Sequence, residues 1–255
     1  MTSAVLARGL RKAYGQKVAV EGLDLDIPTG SFFGLVGPNG AGKTTTLRMI
    51  TGLLRPDEGR AWVDGVDVWT DPVEAKRRTG VLPEDLLLFD RLTGRQLLTY
   101  TGLLRGMPAD VVAERTDSLL MVLGLAEDAG KLVIDYSHGM RKKVALACAL
   151  LHAPRVLFLD EPFESVDPVS ARIIRSVLDR HLEGGGTVVF SSHVMELVER
   201  LCDRVGVIHD GRLAARGPID ELRAGRSLED AFVDLVGAQR GDGGVELRWL
   251  GTSSD

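Results

Sequence analysis

Apolar and polar residues alternate along this chain in patterns that predict strands separated by helices. Short apolar runs or period-two alternation predict strands, and apolar positions on one face of a turn predict helices. The strands are predicted over residues 5–10, 18–27, 31–36, 81–84, 156–159 and 187–190. The helices are predicted over residues 45–50, 72–78, 168–181 and 194–202, and from residues 219 and 227. This order of elements is typical of an α/β fold.

Two further patterns add to the predicted α/β fold. The Asp-Gly pairs at 64–65 and 210–211 lie between short strand patterns and predict antiparallel hairpins. The pattern is helical over residues 93–123, and no strand is evident before residue 156. We therefore expect a helical subdomain over about residues 86–152, inserted in the α/β core.

Composition and charge limit the function. The 255 residues are 44% hydrophobic and 26% charged, as in ordinary globular proteins. The formal net charge is −5, so no basic excess is present and nucleic acid is not expected as a partner. Cys148 and Cys202 lie in apolar helical stretches and are predicted to be buried thiols, suited to a reducing cytosol. We see no signal-peptide pattern and no apolar run near the roughly 20 residues of a membrane span.

The pattern G-x-x-x-x-G-K-[ST] lies between a predicted strand and a predicted helix, and it is met by Gly37, Gly42, Lys43 and Thr44. The glycines allow backbone N–H groups to point at phosphate oxygens, and the helix presents its positive N-terminus to the same anion. Lys43 is placed to neutralise the β- and γ-phosphates, and the Thr44 hydroxyl is placed to bind Mg²⁺. The alternative is an ordinary Gly-rich turn, which the flanking elements disfavour.

Three polar residues follow predicted buried strands. Asp160 and Glu161 come directly after one apolar run, and His193 follows another. A carboxylate at the end of a buried strand is costly without a partner. Beside a phosphate loop, we expect Asp160 to hold Mg²⁺ and Glu161 to polarise an attacking water, with His193 at the same sheet edge. The alternatives are a carboxylate that caps the next turn and a structural histidine.

A second helix N-terminus suited to an anion follows Tyr136. Ser137 is a good N-cap residue and Gly139 leaves the approach open. Because Gly42 already opens a helix for one anion within the chain, this second N-terminus suggests a site for an anion bound by another subunit. A simply capped helix is an equally good interpretation of these residues alone.

Together these segments resemble the nucleotide-binding subunit of ABC transporters over about residues 4–236. The resemblance places the adenine-stacking aromatic at Tyr14, the signature at residues 136–140, the D-loop at residues 165–167 and the switch histidine at His193. The nucleotide-binding residues it implies are Tyr14, Gly37, Pro38, Asn39, Gly40, Ala41, Gly42, Lys43, Thr44, Thr45, Ser137, Gly139 and Asp167. It implies Glu161 and His193 as catalytic residues and Thr44, Asp160 and Glu84 as metal ligands.

The resemblance also implies a fold and partners. The fold is α/β, a P-loop NTPase core with a mixed, mainly parallel sheet, an antiparallel β subdomain and the inserted α-helical subdomain. One ABC ATPase domain would span residues 1–240, and the Gly-rich, polar tail 241–255 is predicted to be loose. The cofactors would be ATP and Mg²⁺, with two copies, or this chain and a second ATPase subunit, closing on ATP. A separate transmembrane permease would hold the dimer at the cytoplasmic face of the cell membrane.

The chain departs from the family pattern at some positions. Glu84 stands where a glutamine is usual, His138 and Met140 alter the signature, and Phe163-Glu164 replaces a small polar pair. The segments LPEDLLLFDRLTGRQLL and YSHGMRKK resemble those of bacterial exporter ATPases. Two alternatives stay open, namely a degenerate cassette that regulates an active partner and a soluble ABC ATPase that takes no part in transport.

Overall fold

The structure is a computed structural model that describes residues 2–237, and the strands and helices in this part of the chain alternate along it. The strands are β1 (Ser3–Tyr14), β2 (Lys17–Pro28), β3 (Phe32–Val36), β4 (Glu58–Val63), β5 (Val66–Asp67), β6 (Thr79–Leu82), β7 (Val156–Asp160), β8 (Thr187–Ser192), β9 (Arg204–His209) and β10 (Arg212–Pro218). The helices are α1 (Lys43–Ile50), α2 (Pro72–Arg78), α3 (Gly94–Leu104), α4 (Ala109–Val122), α5 (His138–Leu150), α6 (Pro168–Glu183), α7 (Met195–Leu201), α8 (Ile219–Arg223) and α9 (Leu228–Gly237). The predicted tail 241–255 lies outside the described residues.

Within residues 2–237 the strands form two sheets. The larger has the strand order β10-β9-β3-β8-β7-β6. Adjacent strands of this sheet run parallel, except that β10 is antiparallel to β9. The smaller is antiparallel, with the order β2-β1-β4-β5. Asp64 and Asp210 both have positive φ, as do the glycines that follow them, which matches the two predicted hairpins. The predicted fold class is confirmed.

Side chains of the central strands alternate between two cores, one on each face of the larger sheet. Along β3, Phe32 and Val36 pack among the helices, and Phe33 and Leu35 pack against α1 and the smaller sheet. Both faces are therefore buried, which explains why the central strands are mainly apolar in sequence. The close approach of α7 to β3 requires Gly34, because a Cβ there would lie 2.4 Å from a methyl carbon of Val198.

Some predicted boundaries differ from the observed ones. The strand predicted over 81–84 is β6, which ends at Leu82 because Pro83 has no N–H to continue the ladder. The helical pattern over 93–123 is two helices, α3 and α4, separated at Gly106, whose φ is 75°, and Pro108. In this region α3, α4 and α5 contact one another, and α5 also packs on β6.

Two remaining expectations concern thiols and the membrane. Cys148 and Cys202 are free, and Cys202 is buried whereas Cys148 is only partly buried. Of the helices between residues 2 and 237, none has the length and apolar character needed to cross a bilayer.

Candidate functional site

The carboxyl ends of four adjacent parallel strands carry the predicted site residues. The glycine-rich loop follows β3, Asp160 ends β7, His193 follows β8 and Glu84 follows β6. Asp160 pairs with Ser191 of the neighbouring strand β8. Because parallel strands present their carboxyl ends at one edge, these side chains meet although they are far apart in sequence.

The glycine-rich loop needs its glycines at two close approaches. A Cβ on Gly37 would lie 2.1 Å from the carbonyl oxygen of Ile208, and one on Gly42 would lie 2.5 Å from the carbonyl oxygen of Ala19. Gly42 has a φ of 107° and is the N-cap of α1. The loop therefore passes directly over the backbone at Ile208 and Ala19, and it places the N-terminus of α1 at the edge of the sheet.

Lys43 bends back over this loop. Its Nζ donates to the carbonyl oxygens of Gly37, at 2.8 Å, and Pro38, at 3.3 Å. The residue is 6% exposed. Burial lowers the pKa of Lys43, and the nearby carboxylates of Glu161 and Asp160 partly oppose that shift. A cation held by carbonyl oxygens in this way is available to a stronger anionic partner.

A cavity of about 350 Å³ opens in front of the loop. It is lined by Tyr14, Lys17, Ala19, Asn39, Gly40, Gly42, Lys43, Thr44, Thr45, Glu84 and Glu161. Lys17 and Ala19 were not predicted. Gly37, Pro38 and Ala41 belong to the loop but do not line the cavity. Tyr14 is 51% exposed at its rim, so one side of the ring is open to a ligand.

Oxygen atoms converge beside Thr44. Its Oγ1 lies 3.3 Å from Oδ1 of Asp160 and 3.4 Å from Oε2 of Glu84, and Ser191 Oγ donates to the same Asp160 oxygen at 2.5 Å. Thr44 has a single hydroxyl hydrogen, so it cannot donate to both carboxylates at once. An all-oxygen group with more acceptors than hydrogens fits a hard cation such as Mg²⁺.

Glu161 lies at the centre of the site. Its Oε1 is 3.0 Å from His193 Nδ1 and 3.8 Å from Lys43 Nζ, and the residue is 7% exposed. Its φ is 47°, in the left-handed region, which costs a residue other than glycine on the order of 1 kcal/mol. Its amide N–H donates to Ser191 Oγ at 3.1 Å. The carboxylate is thus held at a fixed place beside the Lys43 ammonium and the His193 ring.

Ser137, Gly139 and Asp167 form a second polar cluster that does not line this cavity. Ser137 is the N-cap of α5 and accepts a hydrogen bond from the Met140 amide at 3.3 Å, as predicted. Asp167 caps α6 and accepts from the Ser170 amide at 2.9 Å. A Cβ on Gly139 would lie 3.1 Å from Oδ2 of Asp167, so the two helix starts are adjacent.

Besides Ala19, three residues at the site were missed in the sequence. Ser191 follows a buried apolar run, and only the register of β8 with β7 places it beside Asp160. Lys17 follows the turn after Tyr14, and only the cavity shows that it faces the loop. Lys142 is one of three consecutive basic residues, a pattern typical of a solvated surface, yet it is 2% exposed and its Nζ donates to the carbonyl of Glu161.

Two family models match parts of the chain. A family model described as "ABC transporter" matches residues 20–164, more than half of the chain. A second model, described as "AAA domain, putative AbiEii toxin, Type IV TA system", matches the shorter segment 132–199.

Relatives and a solved structure are similar over most of the chain. The linearmycin resistance ATP-binding protein LnrL of Bacillus subtilis is 37% identical over 90% of this chain and 74% of its own. The daunorubicin resistance ATP-binding protein DrrA3 of Streptomyces coeruleorubidus is 42% identical over 87% of this chain and 70% of its own. A solved ATP-binding subunit of an ABC transporter superposes with a TM-score of 0.85 at 28% identity, covering 92% of this chain and 100% of that one.

The phosphate loop, the carboxylates at the neighbouring strand ends and these similarities lead to one conclusion: the chain belongs to the ABC transporter family, in which it is an ATP-binding ATPase.

Proposed function

We propose that this chain binds ATP with Mg²⁺, closes as a dimer on two ATP molecules, and powers a separate membrane permease that exports a small molecule. The observation that carries the proposal is the position of Glu161. Its carboxylate lines the phosphate-loop cavity and lies between His193 and Lys43, at 3.0 and 3.8 Å.

ATP would occupy the cavity with its adenine against Tyr14 and its phosphates on the loop. Tyr14 is at the rim and half exposed, so it can stack on a base without rearranging the core. The Lys43 ammonium would exchange its carbonyl partners for phosphate oxygens, which are stronger acceptors. The N-terminus of α1 adds backbone N–H groups and the positive end of the helix dipole.

The metal ligands in this proposal are Thr44, Asp160 and Glu84. Thr44 Oγ1 lies 3.3 Å from Oδ1 of Asp160 and 3.4 Å from Oε2 of Glu84. When bound, Mg²⁺ would neutralise charge on the phosphate oxygens. Mg²⁺ in proteins is typically held by one or two carboxylates plus substrate phosphates. In this site the carboxylates are those of Asp160 and Glu84, and residues 2–237 contain no group of three His, Cys, Asp or Glu side chains that could hold a metal.

Hydrolysis would follow from the same geometry. Glu161 accepts a proton from water as the water oxygen attacks the γ-phosphorus, and the bond from that phosphorus to the ADP oxygen breaks. His193 holds the Glu161 carboxylate at 3.0 Å and faces the same edge. Lys43 stabilises the charge that develops on the transferred phosphoryl group.

A second copy of the ATPase would complete the site. Ser137, Gly139 and Asp167 lie together but do not line the cavity of their own chain. Ser137 and Gly139 stand at the N-terminus of the 13-residue helix α5, which suits an anion presented by another chain. Ser137 and Gly139 would therefore contact the γ-phosphate that the partner binds in a head-to-tail dimer.

The permease would dock near Glu84 and the helical subdomain, at the cytoplasmic face of the membrane. Leu87 is 92% exposed there and Phe89 is 57% exposed, with its ring edge-on to Tyr100 at 5.3 Å. An exposed apolar cluster of this kind is typical of a protein interface. Export is favoured because the relatives LnrL and DrrA3 are named for resistance to linearmycin and daunorubicin.

The Glu161→Gln variant tests this function. We expect it to bind ATP and Mg²⁺ normally, to lose hydrolysis by at least about 100-fold, and to elute as a stable dimer in size-exclusion chromatography. Glu183→Gln, at the exposed end of α6, is the matched control and should behave as wild type. A Glu161→Gln chain that stays monomeric under saturating ATP would contradict the proposal, and a wild-type chain that dimerises without hydrolysing ATP would support the degenerate, regulatory alternative.

A further inference from the structure

Lys142 is a buried cation that the proposed mechanism does not use. It is 2% exposed and lies on α5, one turn after Ser137. Its Nζ donates a hydrogen bond to the backbone carbonyl oxygen of Glu161, in the loop after β7. Burying an ammonium group is costly unless its hydrogens and charge find partners, so this arrangement needs a compensating benefit.

The hydrogen bond from Lys142 compensates for this cost by holding the backbone of Glu161 in place. This residue has a φ of 47°, a conformation that persists in a residue other than glycine only where the surroundings fix it. Both of its peptide groups are held. The amide N–H donates to Ser191 Oγ at 3.1 Å, and the carbonyl accepts from Lys142. The carbonyl also accepts from the Glu164 amide at 3.3 Å, within the same turn. The bonds from β8 and from α5 tie this turn to the neighbouring elements, so they set the direction in which the Glu161 side chain leaves the main chain.

Charge supports the same conclusion. Burial lowers the pKa of Lys142, while four surrounding carboxylates, those of Glu164, Glu161, Glu84 and Asp160, act in the opposite direction. Asp160 ends β7, Glu161 and Glu164 follow it, and Glu84 follows β6, so the Lys142 ammonium lies near the carboxylates of the site. One of them, Glu84, adds a negative charge at a position where the family usually has a neutral glutamine.

We infer that Lys142 is a positioning residue for Glu161: it fixes the left-handed turn that aims the Glu161 carboxylate at the phosphate-loop cavity. The inference rests on the proposed role of Glu161 in hydrolysis. It also ties α5, the helix that begins at Ser137, to the loop that carries Glu161.

Lys142→Met tests the inference, because methionine keeps most of the length of the side chain and removes its donors and charge. We expect kcat for ATP hydrolysis to fall by about 10- to 100-fold, since a misplacement of about 1 Å is enough for such a loss. The KM for ATP and the Kd measured by calorimetry should stay within about twofold of wild type, because Lys142 does not line the cavity. Lys142→Arg keeps a long cationic donor and should recover kcat to within about threefold.

Lys143→Met is the matched control. Lys143 is the next residue of the same helix, is 7% exposed, and has its ammonium beside Gly124 rather than the candidate site. Both methionine variants remove one buried lysine, so a general loss of packing would lower the melting temperature and kcat of both alike. Only Lys142→Met should lower kcat at unchanged KM. If Lys142→Met does not fold, Lys142→Gln replaces it, since its amide is one bond too short to reach the carbonyl and should give the same loss.

The two hypotheses fail in different ways. If Glu161→Gln hydrolyses ATP as wild type does, the proposed role of Glu161 is wrong. If Glu161→Gln is inactive but Lys142→Met keeps the kcat of Lys143→Met, or Lys142→Arg fails to recover kcat, the inference about Lys142 alone is overturned. In the double variant Lys142→Met with Glu161→Gln, we expect kcat to be no lower than in Glu161→Gln alone. The reason is that the position of residue 161 no longer affects the rate once its carboxylate has been removed.

Discussion

His193 Nδ1 lies 3.0 Å from Oε1 of Glu161, although the two residues are 32 positions apart in the chain. The contact joins the ends of the adjacent parallel strands β7 and β8. Glu161 is almost fully buried, whereas the side chain of His193 is 36% exposed. The histidine therefore covers the solvent side of the carboxylate and limits the orientations available to it.

Replacing His193 by alanine should abolish this restraint without altering the nucleotide cavity, which His193 does not line. We expect kcat for ATP hydrolysis to fall by about 100-fold or more, with ATP affinity unchanged. Steady-state hydrolysis and calorimetry on the same preparation measure the two quantities. The matched control is His209→Ala, on β9, which should lose no more than about threefold in kcat, and equal losses in both variants would contradict a specific role for His193.

The sequence was sufficient to predict most of the larger sheet. Its central strands β3, β7 and β8 are buried on both faces, so each contains an apolar run that few other structures explain. Val188 and Val189, for example, belong to different cores. The boundaries were harder because they depend on pairing. β1 extends to Tyr14, well beyond the predicted residues 5–10, since its polar end is held by antiparallel partners rather than by its own pattern.

The site was predictable where a residue type has one plausible use, as for Lys43 after a glycine loop. A site residue was not predictable where its role depends on which residues of other elements lie next to it in the fold. Lys142 resembles its neighbours Arg141 and Lys143 in sequence, yet only Lys142 donates to the carbonyl of Glu161. Ser191 likewise gains its role from the register of β7 and β8, which sets it beside Asp160.

Gly42 and Gly40 offer a paired test of the loop. A Cβ on Gly42 would lie 2.5 Å from the carbonyl oxygen of Ala19, whereas one on Gly40 has open space within 4 Å, and both residues have positive φ. Gly40→Ala therefore carries only the backbone cost, about 1 kcal/mol of unfolding free energy. Gly42→Ala adds a clash and should lose about 3 kcal/mol in urea denaturation, together with ATP binding. Equal losses for the two variants would contradict the close packing at Gly42.

Glu84→Gln tests the proposed metal site. Glu84 Oε2 lies 3.4 Å from Thr44 Oγ1, but the residue is exposed, so solvent weakens its interaction with a cation to about 1 kcal/mol. We expect the Mg²⁺ concentration for half-maximal hydrolysis at fixed ATP to rise by roughly fivefold. Asp85→Asn is the control, because Asp85 is the next residue but pairs with Arg48, at 3.5 Å. A similar rise in both variants would indicate a general charge effect rather than a ligand.

His152 couples stability to pH far from the strand ends that carry Asp160 and Glu161. Its Nε2 lies 3.0 Å from the carbonyl oxygen of Thr79, which can only accept, so Nε2 carries the hydrogen. Nδ1 is buried and has no hydrogen-bond partner among residues 2–237. Burial, followed by repulsion from Arg105 and Arg115, lowers the pKa of His152 to about 4 from 6.5. The folded protein thus keeps this imidazole neutral where the unfolded chain would protonate it.

The sign of the pH effect follows from that difference. Between pH 6.5 and pH 4 the unfolded chain binds more protons at His152 than the folded protein, so the free energy of unfolding falls as the pH is lowered through this window. From pH 7.5 to pH 5, we expect His152 to account for a loss of about 2 kcal/mol in urea denaturation. His152→Gln keeps a donor toward Thr79 but does not titrate, so its curve should be flatter than wild type by that amount. His181, whose pKa burial also lowers, is unchanged in both proteins, and parallel pH profiles for the two would contradict a buried neutral His152.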